Sequence, residues 1–478
     1  MKDALSARQR WLALYLLCIG VLMIVLDTTV VTVALPTIRA DLGFTETGLV
    51  WVLNAYMLTY GGLLLLGGRL GDLYGQRRLF LLGLCVFTAA SLACGVATSQ
   101  ASLIAARAIQ GVGGAVVTAV ALALILHLFT DDAERAKAMG VYGFICAAGG
   151  SVGELLGGVL TSAFGWHSVF LLNLPIGIAV YVWCLRLLPA DAPAAKRPRL
   201  DVAGALTVTL GLMLAVYAVV GGNAAGWRSA QTLGALGAAA LLLVSFLAIE
   251  ARVRDPLMPL RLFALRNVAI ANAAGVLWAA GMFGWFVVSA LYLQRVLGYD
   301  PMRVGLAFLP ADAIMAAFSA GLSARMVQRY GIRGPAWLGL ALASIGLALF
   351  ARAPEQGTFL GDVLPGMALL GLGAGMAFNP ILLAAMNDVR ENEAGLASGV
   401  VNTSFMLGGA LGLAALAALG DARTATLAGA GGTSAVAALN QGYHLAFAGG
   451  AAMTALAALL CGALMRPRTQ APAAFTPG

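Results

Sequence analysis

The sequence predicts an all-α polytopic membrane protein, and three observations carry that prediction. The chain is 61% hydrophobic and only 10% charged, where a soluble domain is about a quarter charged. Its 60 glycines are spread through the apolar runs. That suits helices that pack in lipid through small residues, without a water-driven hydrophobic force. The apolar runs recur along the whole chain at the length of about 20 residues that crosses a hydrocarbon core roughly 30 Å thick. No large soluble domain fits between them.

The first run follows "MKDALSARQR" and exceeds the core of about 7–15 residues of a signal peptide, so a retained span is predicted at 11–35. The next five are predicted at 48–68, 79–98, 102–126, 138–161 and 165–188. A basic stretch, "KRPR", precedes two more at 203–222 and 233–250. The last six are placed near 268–292, 303–324, 335–352, 363–385, 394–419 and 440–465, for a total of about fourteen.

Charge orients the spans. With the N-terminus inside, the inner loops and ends hold 22 of the 29 Lys and Arg residues and the outer loops 6, with Arg107 inside a span. This bias predicts N-in, C-in, with an even number of spans. The net charge of +8 is thereby assigned to inner loops rather than to nucleic acid. Cys18, Cys85, Cys94, Cys146, Cys184 and Cys461 all fall in apolar runs without a CxxC pair. They read as packing residues, neither a disulfide framework nor a metal site. No metal-ligand spacing, Walker glycine loop or HExxH occurs, so no cofactor and no enzyme chemistry are expected.

The halves echo each other. "RLGDLYGQR" (69–77) and "RMVQRYGIR" (325–333) share Arg, Tyr-Gly and Arg in register at an offset of 256 residues. Glu134 and Gly140 pair with Glu393 and Gly399 at an offset of 259. Two six-helix bundles, 1–190 and 261–478, with an inserted helix pair at 191–260, explain both offsets. Internal repeats of this kind mark secondary transporters, with the substrate site between them.

Four stretches then resemble one family. "LDTTVVTVALPTI" is similar to a first-span signature, and "GGRLGDLYGQRR" to the loop motif between spans 2 and 3. "LIAARAIQGVGGA" is similar to a span-4 motif, and "GELLGGVLTSAFGWHSVFLLNLPIG" to a span-5 antiporter motif and its continuation. In order and depth they resemble the 14-span drug:H⁺ antiporter branch of the major facilitator superfamily. The resemblance implies the major facilitator fold, alternating access and proton coupling. The chain departs from the family pattern at Gly153-Glu154, where Gly-Pro is common, at His167, where Arg often follows the Trp, and in "VVNTSFMLGG", where Arg or Gln is often present near Phe405 or Met406.

Only three of the 21 acids, Asp27, Glu154 and Asp312, sit well inside apolar runs. Intramembrane acids face a bundle interior or water and mark proton or ion pathways. Asp27 lies about 24 Å along the first helix from Trp11, near the midplane, and reads as a protonation site or as a structural acid pairing a neighbour. Glu154 stands beside the stripe of Gly149, Gly153 and Gly157, on a row with Gly150 and Gly158. It is expected to carry a proton, bind a cation or hydrogen-bond another helix. Asp312 follows Pro310, whose missing donor opens a polar pocket, and reads as a cation-recognition residue or an acid reaching outer water near Arg303.

Arg107 is the one basic residue in a span interior. With Gln110 and Gly111 it resembles the family's proton-coupling arginine, either tuning Asp27 or forming a static ion pair with it. Asn54, Tyr56, Thr59 and Asn402 are neutral polar groups in spans, read as ligand contacts or as helix-to-helix glue. By resemblance, Gly68, Asp72, Gly75, Arg77 and Arg78 form a conformational latch, in addition to anchoring topology. Gly149, Gly153, Gly157 and Gly158 are the antiporter-motif packing residues. Trp51, Trp166 and Trp227 read as interfacial anchors.

The expected function is proton-coupled efflux of amphipathic, cationic small molecules by a monomeric multi-pass protein of a bacterial plasma membrane. Its partners are substrate, protons and the lipid bilayer. A dedicated exporter of one metabolite or antibiotic is the alternative, and a membrane-embedded lipid enzyme a remote one.

Overall fold

The computed structural model describes residues 6–129, 131–188, 201–253, 256–258, 260–318, 322–386, 389, 394–430 and 434–466. They form sixteen α-helices. The first seven are α1 (Ala7–Leu42), α2 (Glu46–Tyr74), α3 (Gln76–Gly95), α4 (Gln100–Leu128), α5 (Asp132–Phe164), α6 (His167–Leu171) and α7 (Asn173–Leu187). Then come α8 (Val202–Ala225) and α9 (Ala230–Glu250). The last seven are α10 (Arg266–Arg295), α11 (Pro301–Ala317), α12 (Ser323–Tyr330), α13 (Arg333–Phe350), α14 (Leu364–Ala385), α15 (Ala394–Ala430) and α16 (Ala435–Leu464). Among the described residues, eleven helices are long and apolar enough to cross a membrane. Three predicted spans fall on helices outside that set, α2, α5 and the 17-residue α11.

Local chemistry sets the helix ends. Ser6 opens α1 with a capping box, its hydroxyl accepting from the Gln9 N–H while Gln9 accepts from the Ser6 N–H, which satisfies two otherwise orphaned groups. Gly43 closes α1 in the left-handed conformation, with φ +69°, where a Cβ would be strained. Asp300 caps α11 ahead of Pro301, whose missing N–H costs nothing at a first turn. The predicted sixth span is one apolar stretch, His167–Leu187, whose α-helical pattern breaks only at Leu172, where the backbone angles stay helical. Pro175 explains the break, because it cannot donate to the Leu171 carbonyl and its ring crowds that group. The predicted tenth span, 303–324, covers α11 and the start of α12, with residues 319–321 outside the described ones.

Packing repeats between the two halves. Helix α1 lies on α5 and α7, as α10 lies on α15 and α16. The pairs α2–α4, α3–α4 and α3–α7 recur as α11–α14, α13–α14 and α13–α16. Between halves, α2 packs on α15 and α5 on α11, so one approximate two-fold relates both seams. Helix α8 breaks that symmetry. It is wedged along one seam against both α2 and α15, while α9 packs on α8. Thr209 of α8 sits against Gly62, and Asn223 donates to the Ala418 carbonyl at 2.6 Å. The core is continuous across the halves, with Val31, Tyr56, Trp285 and Leu413 in one buried cluster.

Arginines gather at the end of the bundle from which α1 starts, the basic face. There Arg10 pairs with Glu134 at 3.1 Å, Arg77 donates to the Leu185 carbonyl and Arg266 to that of Leu464. At the opposite face, Gln294 of α10 donates to the Val33 carbonyl of α1 at 3.0 Å, tying the halves together.

Candidate functional site

Close backbone packing of α4 builds the site. A Cβ on Gly113 would lie 2.5 Å from the Phe87 nitrogen of α3, and one on Gly111 would collide with the Tyr56 carbonyl of α2. The Thr59 hydroxyl adds a bond across the α2–α4 contact, donating to the Ala108 carbonyl at 2.8 Å. Only glycine allows this approach. It carries Arg107 into the middle of the first half, where the side chain has no exposed surface.

The Arg107 guanidinium is held on several sides. Nε donates to the Val52 carbonyl at 2.8 Å. Nη1 donates to Asp27 Oδ2 at 2.5 Å and to Gln110 Oε1 at 2.6 Å. Its Cζ stands 4.3 Å from the centre of the Tyr56 ring and 5.7 Å from that of Phe170. A desolvated cation over an aromatic face gains about 2 kcal/mol.

Asp27 is equally enclosed, at 1% exposure. Its second oxygen, Oδ1, accepts from Gln110 Nε2 at 2.8 Å and from Asn173 Nδ2 at 2.9 Å. The same two amides donate to the Ser91 hydroxyl at 2.6 and 3.1 Å. The Cys94 thiol donates to Gln110 Oε1 at 3.6 Å. Five helices thus converge on one carboxylate: α1 supplies it, and α2, α3, α4 and α7 supply its surroundings. Both oxygens meet N–H donors, the complement of an ionised acid. Among the described residues three donors reach the carboxylate, two at Oδ1 and one at Oδ2.

The glycines of α5 lie on the helix that carries Asp27. Gly149 faces Leu22 and Val25, Gly153 faces Thr29 and the Leu26 carbonyl, and Gly157 faces the Val30 carbonyl at 2.8 Å from a built Cβ. Gly158 turns to the other half, 2.7 Å by the same measure from the Pro301 carbonyl of α11. The backbone of Glu154 continues this helix, and its side chain lies outside the described residues.

The structure brings Asp27, Arg107, Gln110 and Tyr56 together. Asn54 is fully buried, with neither end of its amide bonded to a described residue. Asp312 is buried in α11, on the other half, where the neighbouring Ala311 packs against Gly371 of α14. Asn402 is exposed on α15. In the loop region, Gly75 has φ +98° between α2 and α3, Gly71 packs on Val120, Gly68 on Ala119, and Arg78 is exposed. The contacts given for Gly71 and Arg77 run to α4 and α7, within the first half. The Asp72 side chain lies outside the described residues.

Asn173 and Ser91 were not singled out in the sequence, and the structure puts both in the centre. The available signal was an asparagine in the apolar run "LLNLPIG", two residues before a proline. Trp166 does lie at the opposite face, where its indole donates to Asp41 at 2.8 Å.

Residues 17–413 match the Major Facilitator Superfamily. The chain is 39% identical over 419 residues to the puromycin resistance protein of Streptomyces alboniger, covering 87% of this chain and 83% of that protein. It is 40% identical over 410 residues to the cephamycin export protein of Amycolatopsis lactamdurans, covering 84% of each. A multidrug resistance protein of Mycobacterium tuberculosis is 36% identical over 409 residues, covering 86% of this chain and 75% of that one. The crystal structure of a human organic anion transporter superposes with a TM-score of 0.62 at 17% identity, over 96% of this chain and all of that one.

Proposed function

The chain belongs to the Major Facilitator Superfamily, and from that premise we propose that this multi-pass membrane transporter is a proton-coupled exporter working by alternating access. The observation that carries the coupling is the buried Asp27–Arg107 pair, enclosed by hydrogen bonds at the centre of the first half. A buried charge pair is weak as a stability device, because desolvation offsets its attraction. Its worth lies in having two arrangements, one with the ionised acid bound to the arginine and one with the neutral acid released.

In this reading the basic face is cytoplasmic, the helices make fourteen crossings and the membrane is a bacterial plasma membrane. A proton enters from the opposite face and neutralises Asp27, which loosens its hold on Arg107. The halves then rock about the seams α2–α15 and α5–α11, and the acid returns its proton to the cytoplasm. One elementary charge crossing 100 mV supplies about 2.3 kcal/mol. The loop around Gly75 and Arg77 locks the basic face when that side is closed. Asp312 and Glu154 supply negative charge for amphipathic, cationic cargo, and Asn54, Tyr56 and Asn402 are further substrate-contact candidates. The transporter works as a monomer.

The deciding experiment reconstitutes the protein in liposomes and measures ethidium-induced proton release. Wild type releases protons and Asp27→Asn does not. Equal release by both would overturn the role given to Asp27 and turn attention to Glu154. A second reading has support in the relatives' names, two of which carry a single antibiotic: export of one dedicated compound by the same machinery. A broad screen of efflux substrates separates the two.

A further inference from the structure

Gln110 and Asn173 bring chemically identical amides to the same oxygen of Asp27, but they are held differently. Gln110 is engaged at both ends. Its Nε2 donates to Asp27 and Ser91, and its Oε1 accepts from Arg107 and Cys94. Asn173 is engaged at one end. Its Nδ2 donates to Asp27 and Ser91, while its Oδ1 accepts from no described residue. Asn173 is also the first residue of α7, next to the break at Leu172, and only 1% exposed.

The two protonation states of a carboxyl group ask for different partners. The ion accepts only, whereas the neutral acid also has an O–H to donate. Arg107 has donors alone. Gln110 has an acceptor, but turning it toward Asp27 breaks its bonds to Arg107 and Cys94. Asn173 can turn by half a rotation about its last side-chain bond and present Oδ1 without disturbing Arg107. Around Asp27, the charged or titratable groups are Arg107 on α4, Tyr56 on α2 and Cys94 on α3. Helix α7 adds the amide, and the Glu154 side chain of α5 lies outside the described residues.

We propose that Asn173 is a positioning residue for proton coupling, an amide that donates Nδ2 to the ionised Asp27 and turns Oδ1 toward its O–H once the proton has arrived. The proton comes from water on one face and returns to water on the other, and no other bond is made or broken. This rests on the reading of Asp27 as the coupling acid.

The test follows substrate-induced proton release against pH, with ethidium, in proteoliposomes of wild type, Asp27→Asn, Asn173→Leu, Asn173→Asp and Asn173→Gln. Asn173→Leu removes both the donor to the ion and the acceptor for the acid, so its midpoint moves little while the rate of release falls about tenfold. Asn173→Asp, which is isosteric, moves the midpoint up, because adjacent carboxyls resist joint ionisation. Asn173→Gln keeps the amide and slows release less than Asn173→Leu. Should Asn173→Leu fail to fold, Asn173→Asp decides. A wild-type rate in Asn173→Leu, or an unmoved midpoint in Asn173→Asp, with release abolished in Asp27→Asn, overturns the proposal alone. Release that survives Asp27→Asn overturns the reading of Asp27 and this proposal with it.

Discussion

Tyr56 lies under Arg107 with its ring centre 4.3 Å from the guanidinium carbon, and both residues are buried. The ring therefore faces a cation that has lost its hydration, the setting in which a quadrupole attracts most. Tyr56→Phe keeps this face and Tyr56→Leu removes it. The expected cost of Tyr56→Leu relative to Tyr56→Phe is about 2 kcal/mol, read as a lower midpoint of thermal unfolding in detergent.

The Asp27–Arg107 pair predicts a non-additive mutant cycle. Arg107→Gln leaves a buried carboxylate without its cation, a loss of about 3–5 kcal/mol where a buried pair is broken. Adding Asp27→Asn removes the orphaned charge and recovers part of that stability. Thermal unfolding of the two single variants and the double variant checks this. Additive losses would mean the charges do not interact energetically.

The glycines of α5 predict a positional contrast. Gly157→Ala places a methyl 2.8 Å from the Val30 carbonyl, and Gly150→Ala places one where no atom of a described residue lies within 4 Å. Overpacking costs about 1–3 kcal/mol. Gly157→Ala is expected to lower the folded yield and efflux, and Gly150→Ala to leave both near wild type.

Orientation is checked by labelling in intact cells, from a background lacking native cysteines. A cysteine replacing Thr98, exposed between α3 and α4 at the opposite face, is expected to react with a membrane-impermeant thiol reagent. One replacing Arg78, on the basic face, reacts only after the membrane is opened. The reverse pattern would invert the assignment of faces.

The apolar helices were legible because lipid imposes a length on a crossing segment. Asp27 and Arg107 stood out because a charge in an apolar run has few innocent explanations. Asn173 did not, because neutral amides in spans are common and Asn54 looks the same in sequence. Only packing separates them: Asn173 reaches Asp27, whereas Asn54 has no bonded partner among the described residues. The irregularity between α6 and α7 was written in Pro175, and the predicted 165–188 span runs through it, because a proline can kink a span without ending it. Asp312 was singled out for its charge and the preceding Pro310, and Asn402 for its polarity, and neither feature tells which side of its helix a residue occupies.

Among the described helices, α8 covers the α2–α15 seam, with α9 behind it, and none covers the α5–α11 seam in the same way. Both seams are closed by direct helix contact. The flanks that face the acyl chains are therefore unequal in thickness. A sideways squeeze from the bilayer, as its tension or composition changes, meets a deeper wall of helix on one flank than on the other.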